Sequence, residues 1–348
     1  MKARRLINAC SLLLLLVFSV PAGGGEDPLW ASYKTKFIRH DGRIVDYGQE
    51  KSSHSEGQGY GLLLALAYDD RETFNRVWKW TKNNLAVRAD GLFAWHWGKR
   101  HDGNWDVLDY NNATDGDILI AYALLKAGQR WKSGDYTAGG LKIVKALKEE
   151  LLFIWQGRSL LLPGYKGFVK DKTYTVNPSY FIFPAFRLFA GFDDKKLWNK
   201  IYGDSLFILE KASFGKFGLP GDWVKLDKSG ISPYTEKSPF FGYGAVRTFL
   251  YLSSETGPPF PEGLKKILAL YKKIGYLPLM IDIERESVSL KPATAGFYSI
   301  YALAARKSGN VRLSKKLLKD AKEKLSKEGN SYYSYTLYLL ANNEKVFR

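Results

Sequence analysis

Glu56 is the carboxylate whose setting most suggests chemistry. It stands in His54-Ser55-Glu56-Gly57-Gln58-Gly59-Tyr60-Gly61, among small and polar neighbours, and the apolar run Leu62 to Ala67 follows directly. That run predicts a buried helix with Glu56 at its mouth. Gly57, Gly59 and Gly61 carry no side chains and would let a ligand approach the backbone at the helix N-terminus. Glu56 is therefore a candidate active-site carboxylate; the plainer alternative is an acidic residue that favours the helix macrodipole. Metal chemistry finds little support, because His40, His54, His96 and His101 include no His-Glu-x-x-His pair. Gly57-x-Gly59-x-Gly61 is not a dinucleotide fingerprint, since no preceding strand unit or distal acidic residue accompanies it. No metal or other cofactor is expected.

Ser55 to Gly61, taken with Asn112-Ala113-Thr114-Asp115-Gly116-Asp117, resembles the signature pair of glycoside hydrolase family 8. That family includes bacterial cellulases and the cellulase of cellulose-synthesis operons. Similar stretches follow in order: Ala94-Trp95-His96-Trp97, Asn177 to Phe181, Gly221-Asp222-Trp223, Tyr243-Gly244-Ala245-Val246-Arg247 and Tyr332-Tyr333. The likeness runs from about Trp30 to the C-terminal helix. It implies an all-α fold, an (α/α)6 barrel of six helical hairpins, and hydrolysis of internal β-1,4 bonds in cellulose or a related glucan with inversion. Xylan and mixed-linkage glucan are alternative substrates within such a family. Chitosan, itself cationic, is disfavoured by the positive charge of this chain, and an acidic exopolysaccharide would suit it.

Inverting glycoside cleavage uses one protonated carboxyl to give a proton to the leaving oxygen and one ionised carboxylate to activate water, held roughly 6.5–9.5 Å apart. By the resemblance Glu56 is the acid, and its pKa must be raised for that task. Asp115 matches an aspartate that binds the sugar at the cleavage point; it could also cap a helix, although the neighbouring Asp117 could do that instead. The departure comes at residue 244, where the resembling cellulases carry the aspartate that serves as base and this chain has glycine. Three accounts follow. A carboxylate from another loop takes over, Glu236 first and Asp227 behind it, with Asp222 less attractive because it already belongs to a family motif. Or the protein is a weakly active or non-hydrolytic polysaccharide binder. Or the register differs by one, against which Tyr243 and Arg247 both argue. Aromatic faces cover the apolar C–H surfaces of sugars; the resemblance places Trp95, Phe168 and Tyr333 as platforms, with Tyr60, Tyr243 and Arg247 in the binding set.

Helical periodicity predicts twelve segments, near 28–39, 59–69, 71–86, 116–131, 136–153, 179–191, 194–211, 239–254, 260–275, 293–307, 310–326 and 331–342. Short turns such as Asp69-Asp70 alternate with long loops, 87–112, 154–178 and 212–238, which suggests a closed ring of hairpins with its groove on the loop side. Residues 1–22 read as a secretory signal: Lys2, Arg4 and Arg5, then an apolar centre from Leu12 to Val17, then Val20-Pro21-Ala22. The remainder, 23–348, reads as one catalytic domain that is secreted or periplasmic, with no stable membrane anchor after cleavage. The only cysteine, Cys10, lies in that leader. The formal charge of +17 becomes +14 when the three basic residues of the leader are removed. Scattered lysines such as Lys265-Lys266, Lys272-Lys273 and Lys315-Lys316 suit the outer faces of helices better than a nucleic-acid site. The expected partner is a β-glucan polysaccharide, with a polysaccharide synthesis or secretion complex as a further one.

Overall fold

The computed structural model describes residues 26–257 and 260–347; the leader at 1–22 lies outside the described residues. Among the described residues there are twelve α-helices: α1 (Pro28–Phe37), α2 (Ser55–Ala67), α3 (Arg71–Leu85), α4 (Thr114–Trp131), α5 (Gly134–Leu151), α6 (Phe183–Phe192), α7 (Lys195–Lys211), α8 (Arg247–Ser253), α9 (Glu262–Ile274), α10 (Ala295–Lys307), α11 (Val311–Leu325) and α12 (Tyr332–Asn342). They match the twelve predicted segments one for one, with shifted ends.

The even-numbered helices form the inner wall. Each touches the next, α2 with α4, α4 with α6, α6 with α8, α8 with α10 and α10 with α12, and α12 returns to α2 to close the ring. Such helices bury every face, so they are apolar all round: Leu62, Leu63, Leu64 and Ala65 are consecutive and buried. The odd-numbered helices pack outside and carry a single apolar stripe. In α11, Leu313, Leu317 and Ala321 are buried while Lys315, Lys316 and Lys319 face solvent, which accounts for much of the basic charge. The result is an (α/α)6 barrel. Five hairpins are consecutive, from α2–α3 to α10–α11; α12 has α1, from the other end of the sequence, as its outer partner.

Tight turns sit at one end of the barrel, and three of them carry a side-chain cap. Asp70, Asp194 and Asn310 accept from the amides of Thr73, Leu197 and Leu313, satisfying donors of the first turn of α3, α7 and α11. The other end carries the long loops. Loop 87–112 forms β2 (His96–Lys99) and β3 (Trp105–Asp109), which extend β1 (Ser53–His54). Loops 154–178 and 212–238 meet in a four-stranded sheet of β6 (Val169–Lys170), β7 (Thr173–Val176), β8 (Val224–Asp227) and β9 (Gly230–Pro233). A hairpin of β4 (Leu152–Trp155) and β5 (Arg158–Leu161) and the pair β10 (Phe240–Phe241) with β11 (Ile281–Asp282) complete this end. Helix α8 is shorter than predicted, since Phe240 and Phe241 are spent on β10 and a turn through Gly242 and Gly244 follows.

The glycines of the first motif correct one sequence expectation. Helix α2 begins at Ser55, so Ser55 to Gly61 is helical, and Gly59 faces α4 and Gly61 faces Ile44 and Val77 instead of a ligand. A Cβ on Gly59 would stand 2.7 Å from Leu119 Cβ, and one on Gly116 2.7 Å from the Glu56 amide nitrogen. Absent side chains let α2 and α4 approach closely, and only Gly57 reaches the cleft. Gly59→Ala forces these helices apart; overpacking of this kind costs about 1–3 kcal/mol. Thermal unfolding should show a lowered Tm, and an unchanged Tm would mean the contact is slack.

Candidate active site

The loop end of the ring opens into a cleft of about 530 Å³, lined by Glu56, Tyr60, Tyr243, Gly244, Arg247 and Tyr333 among others. Four inner helices deliver its residues from their first turns: Glu56 from α2, Asp115 from α4, Arg247 from α8 and Tyr333 from α12. Backbone links set the register. The Ser55 amide donates to Trp95 O at 3.0 Å, and Thr114 donates through its amide to Pro163 O at 3.0 Å and through its hydroxyl to Leu162 O at 2.6 Å.

Arg247 is the hub. Its Nη1 donates to Glu56 in a short ion pair, to Asp115 Oδ2 at 3.0 Å and to the Tyr60 hydroxyl at 3.1 Å. Its Nη2 donates to Ser179 Oγ at 3.0 Å, and Ser179 in turn donates to Asn177 Oδ1 at 2.7 Å. Arg247 is 5% exposed, so it acts first on the two carboxyls beside it at the cleft floor. Tyr60, 1% exposed, holds this hub through Arg247 and the Tyr251 hydroxyl at 3.0 Å.

Electrostatics separate the two carboxyls. Burial pushes the Glu56 carboxyl up to about 7; Arg247 pulls against that shift and the Asp115 charge adds to it. Burial raises Asp115 as well, but Asp115 accepts from Arg247, from the Gly116 amide at 2.9 Å and from the Tyr180 hydroxyl. Glu56 accepts from Arg247 and Tyr60, and it is the one of the two that faces the cleft. A carboxyl raised toward neutrality and open to a cleft is equipped as a general acid.

The structure brings Glu56, Asp115, Tyr60 and Arg247 into one cluster, with Tyr243 and Tyr333 on its rim. Tyr333 donates its hydroxyl to Tyr243 O at 2.8 Å, and the two rings lie 6.0 Å apart. Trp95 stacks on His54 and His96 at 5.6 and 4.7 Å, beside the start of α2. Burial and His96 push the His54 imidazole down to about 4, so it is neutral. Phe168 stacks on Trp223 at 5.7 Å, with Lys237 Nζ 4.0 Å from the Trp223 ring.

Glu236 is not brought to this cluster. Its side chain is 68% exposed and paired with Lys225 at 3.2 Å, outside the residues that line the cleft. Asp227 caps the β8–β9 turn by accepting from the Ser229 amide at 2.7 Å. The capping expectation for Asp115 and Asp117 is also corrected, as α4 has no side-chain cap. Asp117 accepts from the Phe93 amide at 2.9 Å and Asn112 Nδ2 at 2.9 Å, while Asn112 Oδ1 accepts from the Tyr165 amide at 2.7 Å. The second motif thus ties two long loops together as well as presenting Asp115. Ser179, Tyr180 and Tyr251 were assigned no site role from sequence; only the recurrence of Asn177 to Phe181 as a family-like stretch could have pointed to the first two. Among the described residues, no three His, Cys, Asp or Glu side chains are grouped to hold a metal ion.

The comparisons agree with this geometry. The model of the family described as "Glycosyl hydrolases family 8" matches residues 4–345. An endoglucanase of Cellulomonas uda is 39% identical over 225 residues, 64% of this chain and 62% of the relative, so the chain spans under two thirds of that relative's length. An endoglucanase of Escherichia coli is 34% identical over 284 residues, covering 78% of this chain and 76% of that one. Among solved structures, a family 8 endoglucanase of Klebsiella pneumoniae superposes with a TM-score of 0.76 at 33% identity, over 86% of this chain and all of that one. With its motifs, twelve-helix ring and carboxyl cluster all of one kind, the chain belongs to glycosyl hydrolase family 8.

Proposed function

We propose that the protein hydrolyses internal β-1,4-glucosidic bonds of cellulose or a related β-glucan, with inversion. The observation that carries this reading is Glu56, its carboxyl raised by burial, beside Asp115 and Arg247 on the floor of an open cleft. A polymer can lie across such a cleft without threading an end into it. Tyr243 and Tyr333 on the rim, and Phe168 with Trp223 on the loop sheet, supply faces for sugar rings. The endoglucanase names of the relatives at 34–39% identity support the same bond type.

Export is part of the proposal. The basic start, apolar centre and small-residue site within residues 1–22 have the pattern of a secretory leader. No helix among the described residues is long and apolar enough to cross a membrane.

Reducing-end release from carboxymethyl-cellulose by the mature protein tests the reading, with viscosity followed in parallel. Internal cutting lowers viscosity early relative to the ends released, and proton NMR of fresh products from soluble cello-oligosaccharides shows the α-anomer first. Glucan binding without any release would instead identify a polysaccharide-binding relative, the reading that Gly244 favours.

A further inference from the structure

We propose that Asp222 is the general base of this enzyme, reaching through the space that the missing side chain at Gly244 leaves open. This rests on the hydrolase reading above. A Cβ built on Gly244, which lines the cleft, would stand 3.1 Å from Asp222 Oδ1. Asp222 is thus in contact with the position where a side chain at 244 would begin. It is three hydrogen-bonded links from the acid: Glu56 to Arg247, Arg247 Nε to Gly244 O at 3.4 Å, and the amides of the Gly244 turn to Asp222.

The grip also fixes the carboxylate. Oδ1 accepts from the amides of Ala245 at 2.8 Å and Gly242 at 3.2 Å, while Oδ2 accepts only a long bond from Ser238 Oγ at 3.3 Å. A carboxylate oxygen accepts more than one donor, so Oδ2 retains capacity for a water. No ion pair joins Asp222 to a cation among the described residues, in contrast to Glu236 with Lys225. Burial raises the Asp222 carboxyl and the two backbone amides oppose that shift, a balance that suits proton acceptance.

Placement along the cleft agrees. The next residue, Trp223, stacks on Phe168 and meets Tyr180 edge-on at 6.4 Å, and Tyr180 bonds Asp115. Asp222 therefore lies on the Asp115 side of the acid. Asp46, which lines the cleft, lies on the far side, where its charge acts on Tyr33 and Tyr332.

In the step so assigned, the Asp222 carboxylate takes a proton from water as the water oxygen bonds to the anomeric carbon. The bond from that carbon to the leaving oxygen breaks with its electron pair on oxygen, and Glu56 supplies the proton that oxygen needs. Asp222 ends protonated and Glu56 ionised; exchange with solvent restores both.

The test compares Asp222→Asn, Asp222→Ala and Asp46→Ala with the unsubstituted enzyme on a cello-oligosaccharide, with and without sodium azide. Release by the unsubstituted enzyme establishes hydrolysis, and its absence would count against that reading before this one is judged. Asp222→Asn keeps an oxygen for both amides and is expected to lower kcat about 10²–10⁴-fold with little change in KM, and to remove the acidic limb of the pH profile. Azide should restore turnover to Asp222→Ala and yield an α-glycosyl azide, which a residue that only braces the turn would not allow. Near-normal kcat in Asp222→Asn, or azide rescue confined to Asp46→Ala, would overturn the assignment. Should Asp222→Ala not fold, the kcat and pH profile of Asp222→Asn decide alone.

Discussion

Glu56→Gln is expected to lose hydrolysis by about 10²–10⁴-fold or more while still binding glucan, because the leaving oxygen then has no proton donor. The amide is nearly isosteric with the acid and its oxygen can still accept from Arg247, so the cleft keeps its shape. Reducing-end release and affinity electrophoresis in glucan gels separate the two effects. The pH dependence sharpens the expectation. With the Glu56 carboxyl pushed up to about 7, kcat/KM of the unsubstituted enzyme should fall as pH rises through that value, and the residual activity of Glu56→Gln should lack this limb. Stability follows the same group. A carboxyl whose folded pKa lies above its unfolded value favours the fold fully below the unfolded pKa, near 4.5, and loses that contribution as pH rises through about 7. The Tm of Glu56→Gln relative to the unsubstituted protein should therefore climb between pH 5 and pH 8. Undiminished release by Glu56→Gln would remove Glu56 from the mechanism.

The helices were legible because a barrel makes two different demands on them. Inner helices such as α2 must be apolar on every face, and outer ones such as α11 on one stripe only, and both patterns stand in the sequence. Ring closure was not legible from periodicity, since the outer partner of α12 is α1, some three hundred residues away, and no local pattern records that contact. Glu56, Asp115 and Arg247 were found through motifs, yet their mutual arrangement was not: a sequence does not say that one guanidinium bridges two carboxyls from different helices. Gly59 and Gly61 misled because a missing side chain looks the same whether it admits a ligand or a neighbouring helix. Glu236 was favoured by proximity to Tyr243 along the chain. The fold spends that proximity on an exposed loop and instead returns Asp222, more than twenty residues before Gly244, to the turn that Gly244 occupies.

Arg247→Met tests what holds the site together. In the native protein one buried cation faces Glu56 and Asp115, and Tyr60, Ser179 and Gly244 take its remaining donors. Methionine fills much of the same volume but leaves Asp115 with no cation in a setting that is 1% exposed. Removing one partner of a buried ion pair costs about 3–5 kcal/mol at neutral pH, which should lower Tm on the order of ten degrees. The loss should shrink on acidification. Without Arg247 its downward pull on both carboxyls is gone and burial meets less opposition, so both take up protons at higher pH than in the native protein. Protonation then removes the uncompensated charge, and the Tm gap between variant and native protein should narrow from pH 7.5 to pH 5. Arg247→Lys keeps a charge but can reach neither Ser179 nor both carboxyls in one geometry, and should recover stability more than turnover. A Tm gap that stays constant with pH would mean that the variant fails through packing, and that the two carboxyls are neutralised by something other than Arg247.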